Sequence, residues 1–266
     1  MEALLLSVER VSNVSNVLEI AGEVSQFGFR AILDAFRRPF EGSQIQRQIL
    51  EVGSKSLPLL IASGFALGAV LTLHTRSTLI TFGASSIIPT VQALAFFLEI
   101  GPLVTALLVA GRVGSGIGAV LANMRASEQI DAIESLSIDS FKFLVVPRIV
   151  ACTLALPLLT LFVDFSALLG GFLSEYLASR LSFQLYIFRA FDHFEWSNFL
   201  PPTLKTSIFG FIIGTVSAFF GYNTNEGAQG VGLAATRSVV ISSLLIIVLD
   251  VLLIKSIFFF FPDSAL

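Results

Sequence analysis

The chain has 266 residues, of which 55% are hydrophobic and only 13% are charged. Roughly a quarter of the residues of a soluble domain carry charge, so this composition excludes an ordinary soluble fold and indicates a protein that lies in a membrane. The net charge of −3 gives no reason to expect nucleic acid as a partner, and the single cysteine, Cys152, excludes an intrachain disulfide.

The first predicted elements are helices that lie on the membrane surface. Between Val17 and Glu51, apolar residues recur at helical spacing with arginines between them, and Pro39 and Gly42 divide the segment. We therefore assign residues 1–52 to N-terminal cytoplasmic or interfacial helices and residues 53–266 to the membrane domain. A soluble amphipathic helix packed on a partner is the alternative interpretation of the N-terminal segment.

Five apolar stretches follow, each long enough to cross the hydrocarbon core, which takes about 20 residues in a helix. Their approximate positions are residues 57–75, 87–111, 149–173, 204–222 and 239–261. A helix satisfies its own backbone hydrogen bonds in lipid, whereas an open strand does not. The predicted fold is therefore an all-α integral membrane protein, with N-terminal interfacial amphipathic helices followed by five transmembrane helices.

The distribution of lysine and arginine predicts the orientation of these helices. If the N-terminus is cytoplasmic, eleven of these basic residues fall in cytoplasmic segments and four in outer segments. Cytoplasmic loops carry such an excess of positive charge. With five spans, the C-terminus would then lie on the opposite side of the membrane.

Charged residues within the predicted spans are candidates for function, because charge is costly in lipid. With a helix rise of about 1.5 Å per residue, Glu99 and Asp250 both lie roughly 20 Å from the inner surface. Asp164 and Lys255 both lie at roughly 26 Å, where they could form an ion pair, or Lys255 could extend outward to the surface. Glu99 and Asp250 either face a cavity or make protonated or hydrogen-bonded contacts between helices.

The connection between the second and third spans predicts a short amphipathic helix on the cytoplasmic side. Ser127 is the expected cap, acidic residues occupy the first turns, and apolar residues recur on one face. Asp139 is expected to cap the segment that follows. So small a loop has no core of its own, so we expect this helix to dock on a partner or, alternatively, to pack on the N-terminal helices. Its predicted contact residues are Ser127, Glu128, Ile130, Asp131, Ile133, Glu134 and Leu136.

The sequence predicts no catalytic residue and no metal ligand. His74 and His193 are the only histidines and lie in separate outer connections. The segment GAQGVG at residues 227–232 lacks the lysine of a phosphate-binding loop, so the chain cannot hydrolyse ATP by that route alone. Glycine pairs four residues apart allow helices to approach closely, and we expect these to pack helices within the chain: Gly64 and Gly68, Gly114 and Gly118, Gly210 and Gly214.

Three stretches of the sequence resemble the MlaE/YrbE permeases of MCE-linked ABC lipid transporters. They are EIGPLVTALLVAGRVGSGIGAVLANMRASEQIDAIESLSIDSFKFLVVPR (99–148), ALPLLT (155–160) and GYNTNEGAQGVGLAATRSVVISSLLIIVLD (221–250). The resemblance implies a non-catalytic permease subunit in the bacterial inner membrane, with its N-terminus cytoplasmic and its C-terminus periplasmic. It would move phospholipid between that membrane and a periplasmic MCE carrier, which contributes to intermembrane lipid trafficking and outer-membrane lipid asymmetry.

The resemblance also implies an assembly. The chain would form a homodimer that binds a dimer of cytoplasmic ABC ATPases, a periplasmic hexamer of MCE-domain proteins and a small STAS-type accessory protein. The permease itself would hold no cofactor, because ATP and Mg would bind to the ATPase. The predicted cytoplasmic helix would be the coupling helix, to which the ATPase binds.

The positions that match the family's pattern imply which residues form the lipid site. Leu71, Thr78, Leu79, Phe82, Leu98 and Glu99 would line the lipid cavity, and Lys205 and Asp250 would be polar positions that are buried or near its outer mouth. Leu98 stands where relatives often place an arginine, which removes the basis for a charged contact to the head group. Ser140 replaces a common proline and is expected to change little beyond the local turn.

The alternative functions are a proton-coupled secondary transporter that uses Glu99 and Asp250, and a membrane scaffold without transport.

Overall fold

The computed structural model describes residues 14–37, 42–192, 195–224 and 227–260, and every regular element among them is a helix. Five helices in this part of the chain are long and apolar enough to cross a membrane. We call them spans 1 to 5: Gly42–Thr81, Ser85–Ala126, Phe141–Ser179, Trp196–Tyr222 and Gly227–Ile257. The predicted all-α membrane fold with five spans is therefore confirmed.

Shorter helices flank the spans. The N-terminal helix is Val14–Ala35, the loop helix between spans 2 and 3 is Gln129–Ser135, and the outer helix between spans 3 and 4 is Phe183–Ala190. Three segments within the spans are wound as π-helix, namely Phe96–Ile100, Ala110–Gly114 and Phe141–Val145. Such segments are rare and often mark functional positions, and two of these three contain Glu99 and Arg112.

The helices extend well beyond the apolar stretches that predicted them. The helix of span 1 begins at Gly42, so the predicted second interfacial helix runs directly into the membrane segment without a break. Hydropathy marks the depth of the hydrocarbon layer, whereas a helix ends where its backbone hydrogen bonds end. The predicted division near Pro39, like residues 1–13, lies outside the described residues.

Span 3 forms the centre of the bundle and packs against span 1 on one side and span 4 on the other. The predicted glycine pairs make these contacts possible. A Cβ atom at Gly68 would overlap the backbone of Ala167 in span 3, and a Cβ atom at Gly210 would overlap the backbone of Cys152. Gly118 of span 2 likewise lies against span 5. The expectation that the glycine pairs pack helices within the chain is confirmed.

A buried hydrogen-bond network lies at the end of the bundle that carries the helix Phe183–Ala190. The side chain of Gln92 accepts hydrogen bonds from Thr72 (2.6 Å) and from the hydroxyl of Tyr186 (2.7 Å), and its amide donates to the carbonyl of Ala167 (3.1 Å). These bonds join spans 1, 2 and 3 to the outer helix. Burial, together with the nearby charge of Glu175, raises the pKa of the Tyr186 phenol, so the phenol remains a hydrogen-bond donor.

Candidate functional site

A buried cluster of three charged side chains joins spans 2, 4 and 5. The ammonium of Lys205 lies 2.8 Å from Oε2 of Glu99 and 2.9 Å from Oδ1 of Asp250. The side chain of Lys205 is 2% exposed and that of Glu99 is 34% exposed. Asp250 Oδ1 has no hydrogen bond of good geometry, so the second contact is an ion pair only. The prediction that Glu99 and Asp250 share a level is confirmed, and both carboxyls contact a lysine between helices.

An apolar groove adjoins this cluster between spans 4 and 5. It has a volume of about 590 Å³, and Lys205 is the only charged side chain among the described residues that line it. The other residues that line it are Leu200, Pro201, Leu204 and Ile208 of span 4, and Leu253, Ser256 and Ile257 of span 5. A groove with apolar walls and a few polar groups at one place is typical of binding sites for apolar ligands.

The six residues predicted to line a lipid cavity fall into two groups. Leu98 and Glu99 lie in span 2, and Glu99 contacts the lysine that lines the groove. Leu71, Thr78 and Leu79 lie in the last three turns of span 1, and Phe82, which is 79% exposed, directly follows its last residue. None of the four lines the groove between spans 4 and 5.

Asp164 is buried in span 3 and does not pair with Lys255. Both carboxyl oxygens of Asp164 lack a hydrogen-bond partner among the described residues, and the carboxyl lies against Gly101 of span 2. Lys255 is exposed. Of the two alternatives for these residues, the ion pair is wrong, because equal depth along two helices does not make their side chains face each other. The lysine that pairs with carboxyls within the bundle is Lys205 instead.

The loop helix differs from its prediction at both its start and its apolar face. It begins at Gln129 after Glu128, which has a positive φ of 58°, and Ser127 bonds backward to Asn123 instead of capping the helix. Ile130 is fully buried in the core of the chain, and Ile133 packs against the same core. The prediction that Ile130 faces a partner is therefore wrong. Asp139 caps the following segment as expected, accepting a hydrogen bond from the amide of Lys142 (3.2 Å).

Two large apolar side chains at the end of the loop helix remain exposed. Leu136 is 73% exposed and Ile138 is 44% exposed. Glu128 and Asp131 are also exposed, although Asp131 is held by an ion pair with Arg125 (2.8 Å). The surface available to a partner therefore lies at the tip of the loop and includes Leu136, the last residue of the predicted apolar stripe.

Hydrogen bonds connect the loop helix to the end of span 4. The hydroxyl of Ser140 donates to Glu134 (2.5 Å) and lies 2.7 Å from the hydroxyl of Tyr222. Tyr222 also donates to Glu134 (3.3 Å). A proline at position 140 would lack this hydroxyl, although Tyr222 would still donate to Glu134, so the expectation that Ser140 changes little beyond the local turn stays a prediction. Sequence reasoning missed Tyr222, because no pattern relates it to residues 82 positions earlier.

Comparison with known proteins identifies relatives over most of the chain. The family described as Permease MlaE matches residues 45–255. A "Probable ABC transporter permease protein" of Rickettsia felis is 38% identical over 237 residues, which covers 89% of this chain and 92% of the relative. A protein of the same description from Synechocystis is 33% identical over 87% of this chain and 89% of its own length. The chloroplastic Protein TRIGALACTOSYLDIACYLGLYCEROL 1 of Arabidopsis thaliana is 33% identical over 80% of this chain and 61% of the relative.

Proposed function

We propose that this chain, which belongs to the MlaE permease family, is the permease subunit of an ATP-driven phospholipid transporter. It would move lipid between the bacterial inner membrane and a periplasmic MCE carrier, and so maintain outer-membrane lipid asymmetry. The observation that carries this proposal is the apolar groove between spans 4 and 5 with the cluster of Lys205, Glu99 and Asp250 beside it.

The groove favours a lipid as the substrate. The described residues of its walls are apolar except for Lys205 and Ser256, and an acyl chain gains roughly 0.8 kcal/mol for each CH₂ group removed from water. Lys205 is already paired with two carboxyls, so we assign it to holding the spans together beside the lipid instead of binding the phosphate. One relative carries the name of a glycerolipid, which supports the same class of substrate.

A second copy of the chain would complete the cavity. Many of the apolar side chains of span 5 are exposed in the single chain, Leu244, Val248 and Val251 among them. We propose a homodimer in which the exposed end of span 1, with Leu71, Thr78, Leu79 and Phe82, lines the same cavity as the groove. The excess of basic residues at the end that carries the loop helix supports a cytoplasmic N-terminus and a periplasmic C-terminus.

Energy would enter through the loop helix. We propose that the exposed pair Leu136 and Ile138 docks on a cytoplasmic ABC ATPase dimer, which binds ATP and Mg, and that the MCE hexamer and a small STAS-type protein complete the assembly. Movement of the loop helix would pass through Glu134 and Ser140 to Tyr222. Tyr222 lies about 26 Å along span 4 from Lys205, so a shift of this rigid helix reaches the groove directly.

Lipid binding can be tested with a variant that fills the groove. In Ile208→Trp the indole occupies the groove, so purified chain should retain less phospholipid by native mass spectrometry. Leu154→Trp is the matched control, because Leu154 is also an exposed span residue but does not line the groove. Equal lipid retention by the two variants would contradict the proposed site.

Transport assays separate the remaining functions. In proteoliposomes, the proposed function requires ATPase and ATP for lipid transfer. Transfer driven by a pH gradient without any ATPase would instead favour a secondary transporter in which Glu99 and Asp250 relay protons. Lipid retention without transfer under either condition would favour a scaffold.

A further inference from the structure

A second pocket lies at the opposite end of the bundle from the groove, between the beginnings of spans 1 and 3 and the middle of span 2. Its volume is about 230 Å³. Val52, Val113 and Ile117 form its buried apolar floor. Its charged side chains are Glu51, Lys55, Arg112 and Arg148.

The charges around this pocket do not balance. Glu51 forms an ion pair with Lys55 within span 1 and also attracts Arg148. One carboxylate among the lining residues therefore faces three cations, which include the guanidinium groups of Arg112 and Arg148. Unpaired charge at the edge of the hydrocarbon layer is unfavourable. An anion in the pocket would remove this imbalance.

Each guanidinium group donates a hydrogen bond within the protein through one nitrogen, and its other N–H groups remain available to a ligand. Arg112 donates from Nη1 to the hydroxyl of the buried Ser56 (2.7 Å), and Arg148 donates from Nη1 to the carbonyl of Leu144. Arg112 also lies in the π-helical segment Ala110–Gly114. An arginine has five N–H donors, so both side chains are positioned beforehand and still able to bind a ligand.

We propose that this pocket binds the phosphate of an anionic phospholipid from the leaflet on that side of the membrane. Two positioned guanidinium groups match the oxygens of a phosphate, which arginine binds through paired hydrogen bonds. From the pocket toward the membrane interior, Leu59 follows Lys55 by one helical turn and is 44% exposed, and Leu108 precedes Arg112 by one turn. Acyl chains can therefore follow the apolar surface while the head group remains in the pocket.

This site is distinct from the groove between spans 4 and 5. Arg112 lies about 20 Å along span 2 from Glu99, which belongs to the cluster beside the groove. Its occupancy does not depend on the proposed function, because a lipid held at the inner boundary would fix spans 1, 2 and 3 whether or not the chain transports lipid.

Counting bound lipids per chain tests the proposal. Delipidated full-length chain in neutral detergent is incubated with phosphatidylglycerol and examined by native mass spectrometry. Wild type should retain lipid at two sites, Ile208→Trp and Arg148→Gln should each retain it at one, and the double variant at neither. Arg112→Gln should also weaken retention about tenfold or more, since a hydrogen bond to a charged group is lost. Arg37→Gln is the control, because Arg37 is exposed and does not line the pocket.

Two further arms identify the ligand and keep the test valid if a variant is unstable. Diacylglycerol, which lacks phosphate, should not bind to this pocket, and inorganic phosphate alone should not raise the melting temperature as phosphatidylglycerol does. Arg148→Lys keeps the charge but loses the paired geometry, so it should fold and retain lipid at an intermediate level. Equal retention by Arg148→Gln and Arg37→Gln, equal binding of diacylglycerol, or a full effect of inorganic phosphate would each overturn the proposal.

Discussion

Replacing Lys205 by methionine should destabilise the bundle strongly, because two carboxyls would then face each other without a cation. At an effective dielectric constant of about 20, unit charges 2.9 Å apart attract each other by about 6 kcal/mol. Part of this is offset by desolvation and by repulsion between the carboxyls. Removal of one partner from a buried ion pair typically costs about 3–5 kcal/mol.

The assay is thermal unfolding in detergent, with Lys255→Met as the matched control. For a protein of this size, a loss of about 3–5 kcal/mol lowers the melting temperature by about 10 °C. Lys255 is exposed in span 5, so its replacement should leave the melting temperature within about 2 °C of wild type, as surface substitutions usually do.

A triple variant separates the electrostatic cause from a simple loss of packing. With Glu99→Gln and Asp250→Asn added to Lys205→Met, no unpaired charge remains, and most of the lost stability should return. An unchanged melting temperature for Lys205→Met would refute the reasoning, and so would a triple variant that is no more stable than the single one.

Three further predictions concern packing and coupling. Gly68→Val should destabilise the chain by about 1–3 kcal/mol in thermal melts because its side chain overlaps the backbone of Ala167, whereas Gly53→Val in the same helix meets no neighbour and should be much milder. Gln92→Leu should lower stability by about 1–3 kcal/mol because the buried hydroxyl of Tyr186 loses its acceptor; a melt equal to wild type would contradict this. Ser140→Ala should reduce lipid-stimulated ATP hydrolysis by the assembled complex severalfold while the ATPase still binds, and unchanged stimulation would exclude Ser140 from coupling.

The number and approximate place of the spans could be predicted from the sequence because hydropathy measures the environment of each segment. Hydropathy does not predict where a helix begins: the helix of span 1 begins at Gly42, some fifteen residues before the apolar stretch. The glycine pairs were also predictable, since small residues at spacing four have few other uses in apolar helices.

Side-chain direction was harder to predict than depth. Glu99 and Asp250 were correctly placed at one level, but counting residues gives no rotation about the helix axis. Lys255 was therefore offered as a partner for Asp164, while Lys205 was expected to be buried or near the outer mouth without a predicted partner. The loop helix shows the same limit, because the apolar spacing that places Ile130 and Leu136 on one face does not tell whether that face meets the chain itself or a partner.

We expect lipid to move only when an ATPase engages the tip of the loop helix. The most direct measurement is phospholipid transfer from proteoliposomes that contain the permease and its ATPase, with wild type compared with Leu136→Asp. Leu136 is exposed and away from the core, so the variant should fold normally. We predict that wild type transfers lipid only with ATP and that Leu136→Asp loses both ATPase binding and transfer. Transfer by wild type without the ATPase, or undiminished transfer by Leu136→Asp, would contradict this expectation.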